Sequence, residues 1–183
     1  MSHEVSAPIT VFLGGPFSAA QARDRSGRLL FRDKKLRGRL LEFMGAMHSA
    51  GLSVLNAHLT EKWGDVPPPD TMVHRDFGWI ERCDLYVAFL PNDARGLPYR
   101  TDGTFMELGY AIAMKKNALV LMDDPASPAW STFVSKLLCT SLIARASPEE
   151  FLADPAAIVK RSLDPRDGNQ LHPLPGHGSS LST

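Results

Sequence analysis

The sequence predicts an α/β fold: a doubly wound, five-stranded parallel sheet with helices on both faces, in one domain. Three observations predict it. Short apolar runs of β type recur five times along the chain. Longer stretches between them carry apolar residues at helical spacing. The breaks that follow the apolar runs hold Gly, Pro, Asn and Asp, which turn a chain back across a sheet. Strand and helix alternating in this way form parallel pairs with right-handed crossovers.

Ile9–Leu13 reads as the first strand and ends at Gly14-Gly15-Pro16. Residues 18–30, small and charged, read as a loop. Leu36, Leu40, Leu41, Met44 and Met47 recur at helical spacing, and Gly51 stops that helix. Leu52–Leu55 is the second strand. After Val66-Pro-Pro-Pro69, Asp70 is placed to cap a helix that runs to about Cys83. Leu85–Leu90 is the third strand, and the helix after Gly103 leads to a fourth, Ala118–Met122. Pro125 and Pro128 break the chain before a helix from Ser131 to Leu138. A weak fifth strand, Leu142–Ala144, precedes a last helix from Pro148 to Leu163. The domain therefore spans residues 1–163. Residues 164–183, with Pro, Gly, His and Ser, read as a loosely held tail.

Composition narrows the function. With 183 residues and 44% hydrophobic content the chain builds one real core. Lys plus Arg (20) balances Asp plus Glu (20), so no net field draws it to nucleic acid or to a membrane surface. The basic run from Arg23 to Arg39 reads as the solvated face of a helix. Cys83 and Cys139 stand far apart in apolar surroundings and read as reduced, buried thiols. No apolar stretch has the form of a leader or a membrane span, and a cytoplasmic location is expected. The six histidines show no metal-binding spacing, and Gly14-Gly15 falls short of a dinucleotide fingerprint, so neither metal nor cofactor is expected.

The segment Thr101-Asp-Gly-Thr-Phe-Met-Glu-Leu-Gly-Tyr110 carries the most chemistry. It puts Glu107 near the start of a helix whose first turn holds Gly103, Thr104 and free backbone N–H groups. Such a start attracts an anion. A bland reading also exists, in which Glu107 only suits the helix dipole. Asp76 is the second acid, on the helix entering the third strand, and reads either as a surface carboxylate or as one facing the ligand crevice. Two carboxylates across one crevice suit glycosidic cleavage. In doubly wound sheets that crevice lies at the carboxyl ends of the strands, where Gly14, Gly15, Asn56 and the loop before Thr101 fall.

Val11-Phe-Leu-Gly-Gly-Pro-Phe17, Asn56-Ala-His58, the Asp76 to Asp84 spacing and Gly103-Thr-Phe-Met-Glu-Leu-Gly-Tyr-Ala111 resemble the nucleoside 2-deoxyribosyltransferase superfamily, with its Rossmann-like fold. Within it the chain looks most like the hydrolases that remove the base from CMP or hydroxymethyl-CMP in blasticidin- and mildiomycin-type antibiotic pathways. The resemblance covers residues 9–145. It implies that Glu107 is a nucleophile forming a covalent sugar ester, and that Asp76 bonds and protonates the leaving base. It places Phe12, Gly14, Gly15, Phe17, Ser18 and Asn56 around base and sugar. Phe12 stands where many relatives carry a Tyr touching the nucleophile, and a Phe donates no hydrogen bond.

Thr101 stands where transferases acting on free nucleosides often hold the 5′-hydroxyl with Asp. An Asp repels a phosphate and a hydroxyl donates to one, so Thr101 favours a 5′-monophosphate. Asp102 beside it is expected to turn aside. Ser131 and Thr132 fall where relatives receive a polar residue from a neighbouring subunit, which implies a homodimer with shared sites. Thr101, Gly103, Thr104, Ser131 and Thr132 thus form the expected phosphate site. Ser18 replaces an Arg found in the hydroxymethylcytosine-preferring relative, so that preference is not carried over. The expected activity is hydrolysis of a nucleoside 5′-monophosphate, CMP first. Base exchange between nucleosides and a non-catalytic nucleotide-binding module are the alternatives.

Overall fold

The computed structural model describes residues 7–16, 21–23, 29–65, 67–99, 101–123, 127, 130–138, 140 and 143–163. Its main sheet contains β1 (Thr10–Gly14), β4 (Ser53–Leu55), β5 (Leu85–Leu90), β6 (Asn117–Met122) and β7 (Ala144–Ala146). All four pairings are parallel, in the order β4-β1-β5-β6-β7. The chain steps from β1 outward to β4, then returns to build on the other side of β1. The order therefore reverses between β1 and β5, and a crevice opens above their carboxyl ends.

Side-chain alternation divides the core in two. Val11, Leu13, Leu85, Val87, Phe89, Leu119 and Leu121 face one way and pack with Leu40, Phe43 and Met47 of α1 (Lys34–Ser49). On this side lie also Phe151 of α6 (Pro148–Ala153) and Val159 of α7 (Pro155–Leu163). Phe12, Tyr86, Ala88, Val120 and Met122 face the other way. They meet Ile80 of α3 (Pro69–Arg82), Leu108 and Ala111 of α4 (Asp102–Ala113) and Leu138 of α5 (Thr132–Leu138). Because β5 is buried along its whole length, it has the unbroken apolar run of a central parallel strand. The doubly wound α/β fold expected from the sequence is the fold observed.

Several boundaries differ from expectation. The region read as a loop contains β2 (Gln21–Arg23) and β3 (Leu29–Phe31), a small antiparallel pair; three-residue strands are too short to print a period. A single-turn helix, α2 (Ala57–Thr60), follows β4 and was not expected. Asn56 caps it, accepting from the Leu59 N–H. Helix α3 begins at Pro69 with Pro68 at its cap position, and Asp70 lies in the first turn instead of capping it. The last strand sits two residues later than expected. The last helix is two helices, because Pro155 cannot continue the ladder and restarts it after Asp154. Residues 164–183, like Phe17, Ser18 and Cys139, lie outside the described residues.

Candidate active site

Helices α3 and α4 bring the two expected acids together. On α3, Asp76 and Ile80 are one turn apart on the buried face, so the packing that seats Ile80 turns Asp76 inward. On α4, Thr104, Leu108 and Ala111 form the buried stripe, and Glu107 projects beside it. Phe77 stacks on Tyr110 at 4.2 Å, and the Tyr110 hydroxyl donates to Glu81 at 2.7 Å. These contacts fix one helix against the other, and with them the two acids.

Both carboxylates line a single pocket above the carboxyl ends of the strands. Phe12, Gly14 and Gly15 form its floor, His58 and Glu61 one wall, Met72 and Phe77 another, and Thr101 to Thr104 its rim. Glu107 is half-buried, and desolvation pushes its carboxyl up to about 8. A hydrogen bond from Tyr86 pulls it back, Asp76 and Glu61 push it further up, and Arg75 opposes them. Burial also raises Asp76, against a hydrogen bond and ion pair from Arg75 Nε at 2.8 Å. The same guanidinium reaches Glu61 Oε1 at 2.7 Å and lies over Trp79. The Asp76 charge raises Glu107, so the protons of the two carboxylates are linked.

Thr101 and Thr104 are buried at the start of α4, and their hydroxyls are hydrogen-bonded to each other. Thr101 occupies the cap position of α4 without using its side chain as a cap. The N–H groups of Gly103 and Thr104, in the first turn, therefore take no cap from the Thr101 side chain and border the pocket. Asp102 is exposed but also borders the pocket, so it does not turn wholly aside.

Other expected site residues fall differently. Asn56 is buried and does not line the pocket: its amide donates to the Leu13 carbonyl at 2.8 Å and accepts from Leu59. It splices β1 to the end of β4. Ser131 and Thr132 are exposed at the start of α5, away from the pocket of their own chain. Asp84 accepts from the Thr10 N–H at 2.8 Å and ties the start of β1 to β5.

Sequence reasoning missed Tyr86, Glu61 and Arg75. The Tyr86 hydroxyl is fully buried and 2.7 Å from Glu107 Oε2. Its only sequence signal is a lone phenol in an otherwise apolar strand. Glu61 and Arg75 meet through a turn whose course the sequence does not print.

Residues 26–160 match the family described as nucleoside 2-deoxyribosyltransferase. The chain belongs to that family. Among curated proteins none matches it in sequence. Among solved structures it is similar to the CMP N-glycosidase BcmB of Clostridium botulinum, at 19% identity and a TM-score of 0.53, over 81% of this chain and 98% of that one. BlsM is also similar, at 20% identity and a TM-score of 0.63, over 90% and 97% of the two chains. These likenesses carry the fold. The family makes the chain one of the nucleoside-processing enzymes. Among the described residues no helix is long and apolar enough to cross a membrane.

Proposed function

We propose that this family member hydrolyses the N-glycosidic bond of a nucleoside 5′-monophosphate, with CMP the first candidate. The observation that carries the reading is Glu107 and Asp76 in one pocket, beside a helix start bearing two buried threonine hydroxyls. Thr101, Thr104 and the N–H groups at Gly103 and Thr104 hold the phosphate. Phe12, Gly14 and Gly15 face the sugar and base.

In the proposed reaction the ionised Glu107 attacks C1′ and the C1′–N bond breaks, its electron pair leaving with the base. Asp76 supplies the proton that the base takes up. Water then adds at C1′ and gives a proton back to Asp76, and the ester opens to ribose 5-phosphate and free Glu107. Only the pair carrying one proton has both an attacking carboxylate and an acid. Charge placed near C1′ in advance contributes the largest share of the rate.

The reading includes a homodimer, with Ser131 or Thr132 of a second copy completing the phosphate site. It is supported by Ser131 and Thr132, which are exposed and lie outside the pocket of their own chain, and by the exposed Met106 (57%) bordering that pocket. Sedimentation that finds a monomer at working concentration would remove that part. Base exchange is the second reading, favoured by the description of the matching family.

The deciding experiment is chromatography of bases released from a panel of nucleoside monophosphates and the matching nucleosides, with and without labelled free base. Hydrolysis predicts release from monophosphates first and no label returned to nucleotide. Equal release from nucleosides would refute the phosphate argument, and label in nucleotide would make the enzyme a transferase. Glu107→Gln should abolish release while the protein stays folded.

A further inference from the structure

We infer that Tyr86 is a positioning residue for the nucleophile: its phenol holds Glu107 Oε2 and leaves Oε1 to attack. The inference rests on the glycosidase reading for its catalytic meaning, but the geometry is independent of it. Tyr86 lies on β5 in register with Phe12 on β1, and their rings meet edge to face at 5.5 Å. Trp79 braces Phe12 from α3 at 5.4 Å. The ring that backs the phenol is therefore itself braced, and Tyr86 is fully buried, so its hydroxyl has little freedom to turn elsewhere.

A buried phenol needs an acceptor for its one hydrogen. Two lie within reach, Glu107 Oε2 at 2.7 Å and the Thr104 carbonyl at 3.3 Å. The nearer one strengthens as it ionises, so the hydrogen bond is strongest in the state that attacks. Among the described residues Oε1 takes no hydrogen bond, and it is not sealed from solvent.

Gly14 is shaped to this contact. A Cβ there would collide with the Tyr86 hydroxyl and lie 2.7 Å from Glu107 Oε2. The end of β1 thus gives up its side chain so that a phenol from β5 can reach α4. The competing account makes Tyr86 a core aromatic that borrows Glu107 only to satisfy its hydroxyl. The two accounts differ in what happens to the proton on Glu107. The groups acting on that proton are Tyr86 from β5, Asp76 and Arg75 from α3, and Glu61 after α2. Asp102 and His58 also border the pocket.

The test is titration of the Glu107 carboxyl by NMR in protein labelled with 13C at glutamate Cδ. The resonance is assigned by its loss in Glu107→Gln. Base release from CMP is followed against pH in parallel. In Tyr86→Phe the Glu107 midpoint should move to more alkaline pH. The alkaline limb of kcat/KM should move with it, while kcat falls about 10- to 100-fold, as expected for a lost hydrogen bond to a charged group. An unmoved midpoint and pH profile, with only a lower Tm, would overturn the inference.

If Tyr86→Phe does not fold, 3-fluorotyrosine at position 86 replaces it. As a stronger donor it should move the midpoint to more acidic pH, and an unmoved midpoint would again refute the role. A midpoint that moves in a protein releasing no base leaves Tyr86 in place and removes the glycosidase reading. Base release with an unmoved midpoint does the reverse.

Discussion

Glu107→Gln should leave the protein more stable than the wild type at alkaline pH, although the proposed reaction requires it to release no base. The carboxyl has a folded value of about 8 against an ordinary 4.5, raised mainly by desolvation. Its folded value lies above its unfolded one, so its contribution to stability is complete below about 4.5 and is lost as pH rises through about 8. At about 1.4 kcal/mol per pH unit the gap sets a ceiling of about 5 kcal/mol. Glu107 is half-buried, so water screens part of that cost and about 2 kcal/mol is expected. Gln keeps the shape, and its amide oxygen still accepts from Tyr86. For a chain of this size about 2 kcal/mol corresponds to a Tm higher by about 4–8 °C.

The assay is thermal unfolding of both proteins from pH 5 to pH 9.5, read as the difference between them. The other titrating groups are common to both and largely cancel. The two curves should lie closest at pH 5, draw apart as pH rises, and keep a constant separation above about 8. Parallel curves across the whole range would refute the reasoning, because they would mean that the carboxyl ionises at no cost to the fold.

Gly14→Ala should cost at least about 100-fold in kcat, since its Cβ displaces the Tyr86–Glu107 contact and small displacements of a reacting group cost that much; steady-state kinetics beside a melting curve checks it. Arg75→Ala should destabilise by about 3 kcal/mol, because Glu61 is buried with Oε2 already lacking a partner and would lose the partner of Oε1 as well. Adding Glu61→Gln to that variant should restore most of the loss in urea unfolding. Burial, and after it the charge of Arg75, pulls His58 down to about 4 from 6.5. Its stabilising contribution is therefore present above 6.5 and lost as pH falls through about 4, a range worth up to about 3 kcal/mol. His58→Phe should flatten the pH dependence of urea unfolding in that window.

The central strands were legible because burial on both faces prints unbroken apolar runs such as Leu85–Leu90. Edge strand β7 has three residues and only one fully buried side chain, so its pattern drifts and the expectation landed two residues early. The last helix was expected in one piece from Pro148 to Leu163, and Pro155 makes it two. At the site, Glu107 and Asp76 could be named because each lies in a helical segment of known period. Tyr86 could not, since a phenol in a buried strand looks the same whether its hydroxyl serves a core or a carboxylate. Asn56 is the opposite case. Its place at a strand end suggested ligand contact, while both ends of its amide are used by backbone that only the folded chain brings near.

The neighbours of the two acids also set the pH dependence of the reaction. Asp76 is bonded directly to Arg75, which favours its charged form, whereas Glu107 has a phenol donor and, among the described residues, no cation bonded to it. In the unliganded enzyme near neutral pH the proton therefore resides mainly on Glu107, the group that attacks in the proposed reaction. The count is right and the location is reversed. Positive charge developing at C1′ favours ionised Glu107, so the proton is released toward the base side as the bond breaks. The expected kcat/KM profile for base release is a bell whose alkaline limb falls through about 8, where the pair loses its last proton. In Asp76→Asn the acid and its charge are gone and a single ionisation controls the nucleophile, so the residual rate should rise at a pH below that limb and reach a plateau. A falling alkaline limb that persists in Asp76→Asn would place the controlling proton outside the pair.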